Sequence, residues 1–520
     1  MPQIDQTGQA GDKPQLLTGW AQADITPQEP ILLSGQFHAR LSEGVMDPLT
    51  VTAWALQSAE EQSVFVSCDL IGISNVLLDA VREALRGITD EIDPMKVVLN
   101  ATHTHTAPEC IIPHLELETG LIDATNQTIK ATQLSENEPF MSKRIIGGMS
   151  LSGSGVKFPV PPIQQYIGFA ARRIAETIAQ AWHNRAPSGI AFGLGYAVLG
   201  RNRRWVSASG ETFKQPTNES FSHFEGYEDH SLHLLAVYDA ESRLTGLVVN
   251  VPFPSQVSES QFVVSADYWH EARIELRRRF GEHLFILPQC SAAGELCPGP
   301  YYERAANSRM LELKGSTFRQ EVARRIAEAV EDILPHISAA IDRAPVLRKD
   351  VLNVELTSTP ISAADSEAAW HNALQARQAY NGEMKKLDEQ PELKEKPRWY
   401  QAATSAYRRM SWNLNVVHRY EHQVSAYEVE MHVVRLGQVA FATNPFECYL
   451  DYGIQMKIQS PALQTFVVQL AGGGTYLPSP RAFSGGAYGG LAQSCPIGPQ
   501  GAGEMVAHTV TALKSMWAAD

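Results

Sequence analysis

From Leu16 to about Pro335, runs of β-branched and apolar residues alternate with segments in which apolar residues recur three and four positions apart. That alternation restricts the fold more than any other feature, because strands that feed helices which return to the same sheet build a layered α/β domain. The strand-like runs include Val64–Cys68, Val97–Asn100, Leu234–Tyr238 and Leu247–Val251, and the helical ones Asn75–Gly87, Ile163–Trp182, Tyr268–Arg279 and Thr317–Ile333. Ala363 to about His422 departs from the pattern. It is charged, aromatic and Ala-rich, is broken at Gln390-Pro391-Glu392 and Lys396-Pro397, and reads as two helices inserted into the main body. Tyr427–Val434 and Gln438–Thr443 then read as a hairpin turning at Leu436-Gly437, and a last helix covers about Gly503–Trp517. The expected class is α/β: a layered mixed sheet with flanking helices and a helical insertion at 363–422. Residues 1–15 read as a disordered tail and 16–520 as a single domain. Asn126–Val160 lacks clear periodicity and is open to two readings, a loop over a site or a surface excursion.

A chain of 520 residues with 44% apolar and 19% charged content can bury a sizeable core. Its net charge of −14 argues against nucleic acid and against a basic patch for anionic membranes. No apolar stretch is long enough to span a bilayer, so membrane insertion is not expected. Met1 to Lys13 is polar with no apolar signal region, and the six cysteines form no Cys-x-x-Cys pair. Reduced thiols in a cytoplasmic protein are the expectation.

The stretch richest in chemistry is Asn100-Ala101-Thr102-His103-Thr104-His105-Thr106-Ala107-Pro108. It follows the apolar run Val97-Val98-Leu99, so a strand end delivers two imidazoles into a loop. Residues two apart on a strand face the same side, and small neighbours leave room for a metal or a substrate. Two polar residues on a solvated strand end is the plainer alternative.

That run resembles the His-Thr-His segment of the neutral ceramidases, zinc-dependent amidases that cleave N-acyl sphingosine. Further segments resemble the family in the same order. Gly19-Trp20-Ala21-Gln22-Ala23-Asp24-Ile25-Thr26-Pro27 is similar to its opening strand and turn, and Arg201-Asn202-Arg203-Arg204 to its Arg-Asn-Arg-Ser turn. Gln289 to Pro298 resembles the segment holding its nucleophilic serine, and Asn444-Pro445-Phe446-Glu447 the turn that supplies a carboxylate to zinc. Tyr476 and Tyr488 match two family tyrosines in order and separation. The resemblance covers about residues 17 to 515.

It implies a zinc ion held by His103, Glu447 and Tyr476, His105 as general base, and Arg203 and Tyr488 as donors to a developing oxyanion. Two departures stand out. Where the family has its second zinc histidine, this chain has Val251-Pro252-Phe253-Pro254-Ser255-Gln256. His230 is the candidate replacement on the metal, with Asp267 and His270 handling substrate or water. Asp267 is equally an ordinary helix N-cap. Where the family has its serine, this chain has Gly294-Glu295-Leu296-Cys297-Pro298. The nucleophile is open between Cys297, Ser291 and a water on the metal.

The chain ends about thirty residues after Tyr488, where the family continues into a C-terminal β-sandwich. The expected substrate is therefore a small, soluble, polar N-acyl or sugar conjugate rather than a membrane lipid. The expected activity is metal-dependent amide hydrolysis. Glycoside or ester cleavage on the same site is an alternative, with Trp205, Tyr268, Trp269, Tyr301 and Tyr302 as aromatic candidates for sugar rings. A binding protein without catalysis is the third reading.

Overall fold

The computed structural model describes residues 14–110, 154–213, 220–299 and 302–518, with short pieces at 115–117, 131–133, 144 and 151. Residues 1–13, most of Asn126–Val160, and Tyr301 lie outside the described residues.

Eight strands form the main sheet: β1 (Leu17–Asp24), β2 (Thr50–Ser58), β3 (Glu61–Cys68), β4 (Val97–Ala101), β5 (Ala186–Tyr196), β6 (Ser231–Asp239), β7 (Leu244–Val251) and β8 (Phe285–Cys290). Their order is β8-β7-β6-β5-β1-β2-β3-β4. Neighbours are antiparallel except β3/β4 and β7/β8. Parallel neighbours need a crossover. Helix α1 (Asn75–Arg86) supplies one, and α3 (Tyr268–Phe280) the other; α2 (Ile163–His183) leads from the β4 side to β5. The two halves meet through only two residue pairs, Leu17 with Pro187 and Thr18 with Ala186. Asn100 of β4 donates to the Pro288 carbonyl of β8 at 3.2 Å, so the sheet curls until its edge strands touch.

Amphipathic helices cover the outer face. Leu77, Val81, Ile174 and Ile178 of α1 and α2 pack on Val51 and Val66. Leu276 of α3 and Val322 and Ile326 of α4 (Phe318–Ile337) pack on Leu234 and Val249. Against the inner face lies a second sheet, β9 (Leu347–Thr357), β10 (Ala426–Leu436), β11 (Val439–Thr443) and β12 (Gln464–Val468), in that order. Trp54, Phe65, Leu235, Val248, Phe441 and Phe466 fill the space between the sheets. Each such side chain stabilises the fold by about 1.5–3 kcal/mol on burial. The β10–β11 turn needs a left-handed residue, and Gly437 at φ +62° supplies it. Helices α7 (Leu450–Gln459) and α8 (Pro499–Ala518) back the second sheet.

Helices α5 (Ala363–Glu389) and α6 (Gln401–Glu421) form a hairpin around Ala373, Tyr380, Tyr407 and Met410. A capping box of Ser362 and Asp365 starts α5. The hairpin is tied to the body by Ala39 N–H donating to Thr404 Oγ1 at 3.0 Å and Arg408 to the Gln36 carbonyl at 2.8 Å. Among the described residues no helix is long and apolar enough to cross a membrane.

This architecture brings the loops after β4, β7, β8 and β12 to one end. Ser255 Oγ donates to the Thr102 carbonyl, Ser291 N–H to Val251, Gln469 N–H to Cys290, and Ala101 N–H to Leu470. Ligands in α/β sheets bind at such strand ends.

Candidate active site

The β4 loop is pinned by main-chain bonds from Thr102 to Cys68 and from Thr104 to Leu70. Its path places His103 at φ +67°, a region that side chains with a Cβ rarely adopt. His103 is buried, and its Nδ1 lies 2.6 Å from the Ile71 carbonyl. A carbonyl can only accept, so Nδ1 carries a proton, and Nε2 is the nitrogen that faces the site. That Nε2 is 3.4 Å from Glu447 Oε2 and 3.4 Å from His105 Nε2.

Glu447 arrives from the loop after β11. Its backbone lies beside Tyr476 in a short parallel pairing, with Glu447 N–H bonded to the Thr475 carbonyl at 3.0 Å. The approach is possible because residue 474 is glycine: a Cβ there would sit 2.3 Å from the Pro445 oxygen. The Tyr476 hydroxyl hydrogen-bonds the Glu447 carboxylate. Burial would raise the Glu447 carboxyl, but His103, the Tyr476 hydroxyl and Arg203 hold it below the usual range. Burial pushes the Tyr476 phenol up, against the pull of Arg203.

Arg203 lies across both tyrosines, 5.3 Å from the Tyr476 ring and 5.7 Å from the Tyr488 ring. One of its amino groups donates to the Gly294 carbonyl at 2.7 Å, and its buried Nε has no hydrogen-bond partner among the described residues. Tyr488 stands 5.4 Å from Tyr476 and joins Phe37 and Trp412 in an aromatic wall with spacings of 5.3 to 6.2 Å. Trp412 comes from α6, so the helical hairpin contributes a wall of the site.

His105 Nε2 is 2.8 Å from Gln256 Nε2, and its Nδ1 is 3.3 Å, poorly aligned, from a Glu259 oxygen. Burial holds this imidazole neutral, down to about 4, although Glu259 works in the other direction. Arg40, wholly buried, bonds the Glu259 and Gln261 carbonyls at 2.6 and 2.8 Å and also the His105 carbonyl, which fixes the two loops together.

No family model matches the chain. No curated protein matches it in sequence. Solved structures do. The neutral ceramidase from Pseudomonas aeruginosa superposes with a TM-score of 0.62 at 14% identity, covering 96% of this chain and 74% of that one. A ceramidase complexed with C2 gives 0.61 at 14% identity, over 97% and 76%. The chain has a neutral ceramidase-like fold.

Within this ceramidase-like fold, His103, His105, Glu447, Tyr476, Arg203 and Tyr488 come together. Cys297 is near: its Sγ–H points to the Arg201 carbonyl at 3.7 Å from a strand pairing with 200–202. Ser291 is buried, its hydroxyl without a hydrogen-bond partner among the described residues. The other three are placed elsewhere. His230 faces Glu228 at 3.4 Å. Asp267 is a helix N-cap at φ +57°, with one oxygen on Tyr268 N–H and the other on Ser258 N–H, both at 2.6 Å. It thereby anchors the Gln256–Glu259 loop. His270 sits half-buried in the first turn of α3. Of the aromatic candidates for sugar rings, Trp205, Tyr268 and Trp269 are core, and Tyr302 is exposed.

Gln256, Glu259 and Arg40 are the site residues the motifs do not reveal. Gln256 and Glu259 follow the run where a second histidine was sought, which is the one signal that bears on them. Among the described residues no three His, Cys, Asp or Glu side chains are grouped so as to hold a metal ion. A set based on His103 and Glu447 would need a further donor, and the Tyr476 phenol beside Glu447 is the one at hand. Tetrahedral zinc ligands lie about 3.3–3.5 Å apart, which the 3.4 Å His103–Glu447 separation matches. The His103 Nδ1 bond to a carbonyl is also the arrangement that orients a ligating imidazole. On these two grounds the residues fit zinc.

Proposed function

We propose that the chain is a zinc-dependent hydrolase that cleaves an amide (N-acyl) bond of a small polar substrate. The observation that carries the reading is the meeting of two imidazole Nε2 atoms and a carboxylate beside an arginine lying across two tyrosines.

His103, Glu447 and Tyr476 would hold the zinc, and His105 stays off it as the base. A bound zinc ion supplies Lewis acidity toward a carbonyl oxygen and a water. His105, neutral and with Nδ1 beside Glu259, takes a proton from the attacking water at Nε2, where the Gln256 amide gives way to that water, and passes it to the leaving amine. Arg203 and Tyr488 donate to the carbonyl oxygen as negative charge builds there. A second reading, glycoside or ester cleavage on the same residues, is favoured by the wall of Phe37, Trp412 and Tyr488, which suits a ring-shaped group.

Metal analysis of the purified chain and of His103→Ala and His105→Ala, combined with a screen of N-acyl amides, esters and nitrophenyl glycosides, tests the proposal. About one zinc per chain is expected. His103→Ala should lose metal and turnover together, whereas His105→Ala should keep metal and lose about 10²-fold or more in rate. Cleavage of glycosides alone would transfer the assignment to the second reading. A zinc-loaded chain that turns over none of the panel would overturn hydrolysis.

A further inference from the structure

A cavity of about 410 Å³ opens where the ends of β5 and β6 meet β12 and α7. That volume is in the range of small-molecule sites. The Glu228-Asp229-His230 segment, which the hydrolytic site does not use, leads into it. His233 of β6 lines it, buried, with neither ring nitrogen hydrogen-bonded among the described residues. The ring's one close aromatic contact is Phe466 at 5.4 Å, which satisfies no polar atom. Buried polar groups without partners are uncommon and call for an explanation.

Beside it, Lys457 of α7 approaches Asp229 at 3.2 Å and Ser231 at 3.5 Å. At the rim, Tyr196 and Leu463 are 72% and 76% exposed, which leaves an aromatic face and an aliphatic edge open to solvent. None of the contacts described for these side chains reaches His103, His105, Glu447 or Tyr476.

We propose that this cavity binds a neutral polyhydroxylated ligand, a sugar ring, at a site separate from the hydrolytic cluster. The donor and acceptor pattern selects that chemistry. A hydroxyl donates and accepts at once. The cavity answers with an ammonium that donates, a carboxylate that accepts, and an imidazole and a hydroxyl that each do both. The charges of the lining are already paired, Lys457 with Asp229 and Glu228 with Arg201 at 2.7 Å, so an ion of either sign would meet a like charge. A purely apolar ligand would leave His233 unsatisfied, at a cost of about 1–3 kcal/mol. The apolar face of a pyranose would cover the Tyr196 ring, removing apolar surface from water.

Saturation-transfer NMR and calorimetry on the full chain, with glucose, galactose, mannose, N-acetylglucosamine, maltose and cellobiose, test this. At least one sugar should bind one to one. Tyr196→Ala, at an exposed rim position, should weaken that binding at least about tenfold, and His233→Phe likewise. Glu447→Gln should leave it within about twofold, which separates this cavity from the hydrolytic cluster. If His233→Phe does not fold, Tyr196→Ala decides alone. Absence of binding by every sugar up to about 10 mM overturns the proposal. So does binding that Glu447→Gln abolishes and Tyr196→Ala leaves intact.

Discussion

Cys297 stands where the sequence resemblance to the neutral ceramidases would put a serine, and its surroundings bear on two ways of breaking the bond. The thiol is buried and directed at the Arg201 carbonyl, within a pairing that the Arg203 N–H extends by donating to the Glu295 carbonyl at 3.0 Å. His105, the base of the proposed reaction, touches Gln256 and Glu259. The proposed attack by water therefore predicts that Cys297→Ala retains activity within about threefold of the parent and that no acyl adduct forms on residue 297. Mass spectrometry after rapid quenching, beside steady-state rates, checks both. A loss beyond about 10²-fold with a covalent adduct in the parent would make the thiol the nucleophile. At this scale the sequence was informative wherever a motif is local. His103 and His105 are neighbours in the chain, whereas Gln256 reaches His105 across 151 positions and Arg40 reaches Glu259 across 219. No local pattern encodes such contacts. For His230 the chemistry that suits a metal says nothing of its neighbour: just ahead of β6 it lies against Glu228.

The element that most limits the site is the strand-like pair Glu447–Cys448 and Tyr476–Leu477, two residues a side. So short a pairing depends on close backbone approach, and Gly474 provides it against the Pro445 carbonyl. Gly474→Ala adds one methyl at 2.3 Å from that oxygen, and because the obstacle is backbone, the two loops must part. The expected loss is about 1–3 kcal/mol of stability, with a larger proportional fall in turnover because Glu447 and Tyr476 separate. Urea unfolding and initial rates on the same preparation measure it. Unchanged activity would show that the two side chains keep their positions without the pairing. The longer elements were legible because each repeats its apolar pattern over several turns or pleats: β3, β4, β6 and β7 and helices α1 to α4 fall where periodicity places them. The pair at 447 and 476 is too short to carry a period, and only the glycines before Tyr476 pointed to it.

Across the whole molecule, the second sheet is held to the first not only by the Trp54–Phe65–Phe441–Phe466 core but by a charged tie at its margin. Arg82 of α1 donates to Glu430 of β10 at 3.0 Å, and His432 Nε2 lies 3.0 Å from the same carboxylate. Sequence could not reveal this tie, since the partners are 348 positions apart and each looks like an ordinary surface charge. Burial would raise the Glu430 carboxyl, yet His432 and Arg82 hold it down to about 2 from an ordinary 4.5. A folded-state value below the unfolded one means that the unfolded chain takes up the proton first as pH falls. The contribution of Glu430 is therefore complete above about pH 4.5 and is lost progressively as pH falls toward 2. His432, which burial holds at about 4 despite Glu430, adds a loss of the same sign between its unfolded 6.5 and that value. Glu430→Gln removes the carboxylate while keeping the shape. At pH 7 it should destabilise the chain by about 2 kcal/mol, and the gap to the parent should narrow when both are unfolded with urea at pH 3.5. A gap that stays constant between pH 7 and 3.5 would mean that the carboxylate acts through packing alone, because only a charge that the unfolded state protonates more readily can make the difference depend on pH.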